Sequence, residues 1–143
     1  MAITRTVSNE FKFESGKASV NLSSDTFKIV LMASGFTFDP DTHGDYADIS
    51  ASEITSAGGY TVGGESITVD DAWAQDNTGN RGRITWADKT LTASGAAFDT
   101  FCAVCIIDVT ASNLVIGCIE LGQDIDIPDG SSFQLQDMAY NKA

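Results

Sequence analysis

Two apolar stretches set close together constrain this chain more than any other feature. Phe101–Val109 and Leu114–Leu121 are separated only by Thr110-Ala111-Ser112-Asn113, a polar loop of the kind that reverses a chain. Both are apolar on both faces of an extended backbone until Asp108 and Glu120 interrupt them. Such runs are too short to cross a bilayer as helices. They predict paired central strands, buried by the rest of a sheet or by another subunit. A loop closed by Val109 and Leu114 sets a register in which Cys105 faces Cys118, Ala103 faces Glu120 and Ile107 faces Ile116. Cys105 and Cys118 are then packed thiols, with Cβ atoms about 4.5–5.5 Å apart. Cys102 lies an odd number of residues from Cys105, so it is expected on the opposite face, free for contact between subunits.

The remaining chain has the same grammar of short strands and tight turns. Thr26–Met32 is β-branched and aromatic-rich, with Lys28 its only charge, and reads as a second central strand. Ala18–Leu22, Ser66–Val69, Leu91–Ala97 and Ser131–Leu135 read as shorter strands, separated by turn clusters such as Ser23–Asp25, Asn77–Asn80 and Asp126–Gly130. The expected fold is all-β: a β-sandwich, jelly-roll-like, forming one domain over residues 16–143. Residues 1–15 alternate weakly and are expected to be an extended N-terminal arm or an edge strand, with Phe11 and Phe13 available to a neighbouring subunit. One short helix is expected near residues 50–55, with Ser50 as its N-cap and Glu53 closing a capping box. Asp137–Ala143 reads as a polar tail.

Charge excludes whole classes of partner. Eight Lys and Arg residues stand against twenty Asp and Glu, a formal net charge of -12. The cations are scattered, so nothing here neutralises a phosphate backbone or an anionic membrane surface. No segment of Met1–Asn9 has the apolar core of a signal peptide, and the expected site of synthesis is the cytoplasm. The three cysteines are expected to be reduced packing residues.

Local chemistry is sparse. Asp39–Asp45 (DPDTHGD) opens like a calcium-binding EF-hand loop, making Asp39, Asp41 and Asp45 candidate ligands. The twelfth position, where such a loop needs a bidentate carboxylate, is Ser50. The alternative is an acidic turn in which the carboxylates cap backbone N–H groups. His43, the single histidine, has neither a nucleophile nor an orienting partner in the pattern. Cys102 and Cys105 on a strand cannot converge on zinc or act as a redox pair. Trp73 and Trp86 flank one turn and are expected on paired strands of a hairpin, packed in a core or interface, or else exposed as a sugar-stacking platform. Arg81 and Arg83, with Lys89, suit partner contact or internal ion pairs. No serine-nucleophile elbow, phosphate loop or ligand cluster is present, so no enzymatic activity and no cofactor are expected.

Lys28–Met32, Phe36–His43, Tyr46–Ile54 and Gly59–Gly64 follow one another in an order that resembles a family of small virion structural proteins of tailed bacteriophages. The likeness is close over the first half of the chain and extends to the second only as a strand pattern. It implies a capsid cement or decoration protein on the outer capsid surface, assembled in the host cytoplasm. Its expected partners are the major capsid protein and further copies of itself, as a homotrimer or else a dimer. A tail or neck component, and a carbohydrate-binding module using Trp73 and Trp86, are the alternatives.

Overall fold

The computed structural model describes residues 2–143. They form ten strands: β1 (Thr4–Val7), β2 (Phe27–Ala33), β3 (Glu65–Ile67), β4 (Ala74–Asp76), β5 (Arg81–Thr85), β6 (Lys89–Thr92), β7 (Phe101–Asp108), β8 (Leu114–Ile125), β9 (Ser132–Leu135) and β10 (Ala139–Lys142). Two short helices join them, α1 (Asn9–Gly16) and α2 (Tyr46–Ile49), the latter followed by a 3-10 turn at Ser50–Ser52. The fold is all-β and sandwich-like. Its antiparallel sheets run β1-β8-β7-β2-β3, β10-β5-β4 and β6-β9. This strand order does not confirm the jelly-roll form of the expectation.

The large sheet is buried on both faces, as its apolar strands require. Phe27, Ile29 and Leu31 of β2, with Val104 and Ile106 of β7, meet the two smaller sheets through Ile84, Trp86, Leu91 and Leu135. Val30 and Met32, with Ala103, Cys105 and Ile107, face the other way. There they are covered by Phe38 and Ile49 from the segment between β2 and β3.

The β7–β8 hairpin forms as expected near its middle. Cys105 is opposite Cys118 and Ala103 opposite Glu120. Toward the loop the register shifts, and Ile107 faces Val115 instead of Ile116. A bulge at Ile116–Gly117 absorbs the extra residue. A Cβ at Gly117 would come within 2.4 Å of the Thr6 carbonyl, so a glycine lets β1 approach the bulge. A second irregularity between Phe101 and Ala103 puts Cys102 beside the same cluster as Cys105, not on the opposite face.

Of the two readings of the N-terminal residues, the edge strand holds for Thr4–Val7 and the extended arm does not. β1 pairs with β8, matching Thr4 to Glu120 through Val7 to Gly117, and α1 follows it. Ser8 caps the helix by accepting from the Phe11 N–H (3.4 Å), and its own N–H donates to the Ile116 carbonyl (2.9 Å). Phe11 is fully buried, edge-on to Tyr140 at 5.0 Å. Phe13 is 65% exposed. Residues two apart share a face in a strand but lie on nearly opposite sides of a helix, so the alternation that suggested an arm here separates a core anchor from a surface residue. The boundary placed between residues 15 and 16 therefore falls at the end of α1, inside one packed unit.

Other expectations also shift. Ala18–Leu22 is a turn segment, not a strand, although Leu22 is buried. The helix expected near 50–55 starts earlier, capped by Asp45 in a reciprocal capping box with Asp48, which replaces the Ser50–Glu53 box. The polar tail contains β10, which pairs with β5 and buries Tyr140.

Candidate functional site

Residues 36–64, the acidic turn, short helix and glycine-rich approach between β2 and β3, are the natural place to look for chemistry. Its centre is Glu53. The Tyr46 hydroxyl donates to one carboxylate oxygen, and the Tyr60 hydroxyl (2.6 Å) and the Gly63 N–H (2.9 Å) donate to the other. The Tyr60 oxygen in turn accepts from the Leu31 N–H (3.0 Å), and the Leu31 carbonyl accepts from the Ile54 N–H (3.1 Å). The geometry has a clear cause. β3 pairs with β2 only over Phe27–Ile29, and beyond that point the β2 edge has only the isolated bridge between Met32 and Glu53. Buried backbone groups need partners, and Tyr60 and Ile54 supply them to Leu31. Glu53 fixes Tyr60 in place.

A carboxylate between two phenols can suggest acid–base catalysis, and the electrostatics of the two phenols bear on that reading. Burial, then the bond to Glu53, pushes the Tyr46 phenol up to about 12. The same two causes, in the same order, push Tyr60 higher still. Both stay neutral donors at physiological pH, far from the matched acidity a proton-transfer group needs.

The acidic turn beside it is equally committed. Asp39 accepts from the Asp41 N–H (2.9 Å), and this bond, with one from the Thr42 side chain, holds its carboxyl below the usual range. Asp41 accepts from the Asn9 side chain, and Asp45 caps α2. Asp39 and Asp45 are turned to local N–H groups and Asp41 to Asn9, and the described residues contain no group of three or more His, Cys, Asp or Glu side chains placed to hold a metal ion. His43 accepts from the Asp39 N–H at Nδ1 (3.0 Å) and stacks on Phe36 at 5.4 Å.

The two tryptophans do not form a platform. Trp86 is 2% exposed, packed edge-on to Phe27. Trp73 is half-buried, lies over Gly82 and stacks on Tyr140 at 6.1 Å. Among the interface candidates, Arg81 is engaged by Asp76 (2.8 Å), while Arg83 is exposed and makes no salt bridge among the described residues. Cys102 is half-buried and its thiol donates to the Ala33 carbonyl (3.3 Å). Cys105 and Cys118 are free and buried, and burial followed by the contact with Cys105 raises the Cys118 thiol far above its ordinary value. Phe13 and Arg83 thus remain accessible, whereas Phe11 and Trp86 are core residues.

Two features were missed in the sequence. The spacing of Tyr46, Glu53 and Tyr60, seven residues each, was the available signal for the Glu53 network. Asp108 gave no signal beyond interrupting an apolar strand. It is fully buried: one oxygen accepts from the Ala111 N–H (3.1 Å), and the other has no donor. Burial, then the carboxyl of Asp25 beside it, raises it to about 7.

Searches against family models, curated proteins and solved structures found no match to this chain.

Proposed function

We propose that this chain is a non-enzymatic virion structural protein, a capsid cement or decoration protein that binds the outer surface of a major capsid protein shell. The supporting observation is the division of labour among its residues. The groups with chemical potential, Glu53, His43 and the Asp39–Asp45 turn, are occupied in holding the fold, while an aromatic side chain, Phe13, stands 65% exposed on the capped helix α1. An exposed aromatic on an ordered element is the kind of residue that anchors an interface. The resemblance of residues 28–64 to phage structural proteins supplies the partner, and the strong negative charge suits an outer face better than one turned toward packaged DNA.

The test is occupancy on capsids that lack the chain. Purified protein added to such shells should bind saturably, and binding should persist in about 1 M salt, where the Debye length is about 3 Å. Release by moderate salt alone, or no binding to heads alongside binding to tails, would overturn this reading.

A further inference from the structure

A cleft lies between the β1 side of the large sheet and the β9–β10 side of the smaller ones, with a volume of about 320 Å³. That size falls at the lower end of small-molecule sites, roughly 300–1,000 Å³. Ile106, Ile116, Leu121, Ile125, Phe133 and Met138 are among its lining residues. Two polar features stand out against this apolar lining. Trp86 also lines the cleft, and its indole N–H is buried with no acceptor. A buried donor without a partner is uncommon and calls for an explanation. Arg5 lines the cleft on the β1 side, exposed and without a salt bridge among the described residues. In a chain with only eight basic residues against twenty acidic ones, a free guanidinium beside an apolar cleft is a selective feature.

We propose that this cleft binds an elongated apolar monocarboxylate, its hydrocarbon chain lying against the isoleucines and Phe133 and its carboxylate meeting Arg5. The guanidinium offers paired donors matched to a carboxylate. Asp137, also in the lining, repels the same group and so fixes the orientation, with the charged end toward β1. The Trp86 N–H is closed off by the protein, so the ligand would meet only other atoms of that side chain. The inference is independent of any role on a virion, since it uses none of the residues offered to a capsid.

Trp86 also provides the readout. In a Trp73→Phe variant it is the single tryptophan, and decanoate can be titrated against its emission at concentrations below those that form micelles. The expected result is a saturable spectral change with decanoate, and about fifteenfold weaker binding of octanoate, from about 0.8 kcal/mol for each of two buried methylenes. Decylammonium should not compete, and Arg5→Gln should weaken decanoate about tenfold. Thermal upshift of the unaltered chain by decanoate, reduced in Arg5→Gln, gives a second measurement that does not depend on the Trp73 substitution. No saturable change, or equal binding of decanoate and decylammonium, would overturn the proposal. A change accompanied by dissociation of a dimer, seen by sedimentation, would assign the cleft to a second copy of the chain and overturn it too.

Discussion

One face of the five-stranded sheet is covered by strands that stack apolar side chains such as Ile84, Leu91 and Leu135 onto it, whereas the other is covered by a segment with little regular structure, residues 36–64, suspended by hydrogen bonds. The first face is held by area, which is non-directional and tolerates exchange of one apolar residue for another of similar volume. The second depends on particular donors and acceptors, with Glu53 taking three of them. Segments with no strand pairing must satisfy their buried backbone by side chains, and only specific residues at specific positions can do that. Such a cover therefore constrains which residues stand at particular positions, whether or not they carry any chemistry.

The difference predicts a graded response to substitution. Phe101→Ala, in the fully buried core on the strand-covered face, should destabilise most, by about 3–5 kcal/mol. Chemical denaturation should show it as a lowered midpoint with an unchanged slope. Glu53→Ala should cost about 2–3 kcal/mol, because it strands the Tyr60 hydroxyl and the Gly63 N–H in partly buried positions. Tyr46→Phe, which removes one donor and leaves the others in place, should cost only about 1 kcal/mol. If the two Glu53-network variants were as mild as surface changes, within about 0.5 kcal/mol, the second cover would be held by area as well.

A pH series separates the two regions differently. Asp108 sits at the end of β7, and its carboxyl is raised to about 7 when folded, against an ordinary value of 3.8. The folded state therefore holds a proton that the unfolded state has released between these values. The Asp108 contribution to stability should be fully present below about pH 4, fall as pH rises toward 7, and level off above it. Asp108→Asn, measured by thermal unfolding across that range, should flatten this part of the profile. An unchanged profile would place the pH response elsewhere.

The smallest effect on stability should come from the residue proposed for binding. Phe13→Ala should alter unfolding by no more than about 0.5 kcal/mol, since the side chain is mostly in solvent. It should nevertheless weaken capsid occupancy about tenfold.

Sequence patterns revealed the central strands because burial on both faces leaves unbroken apolar runs in β2, β7 and β8. The Cys105–Cys118 pairing was expected from a loop closed by Val109 and Leu114, but the strands close at Asp108 and Leu114, and it is the bulge at Ile116–Gly117, beside the approaching β1, that restores the pairing. Helix α1 was hidden because Phe11 and Phe13 alternate like strand residues, and only the packing of Phe11 on Tyr140 decides between the two periods. β10 was hidden by polar neighbours, as one buried tyrosine in a terminal segment makes no period at all. Trp86 could not be told from an exposed tryptophan by composition. Its burial depends on Phe27, far away in the chain.

The proposal of a structural role on the outer capsid surface is tested most directly by imaging particles that carry this chain at a resolution that traces its backbone. The account predicts its density on the outer face of the head shell, with α1 and Phe13 against the major capsid protein. Density confined to the tail or neck, or a head-bound chain with Phe13 turned to solvent, would contradict it.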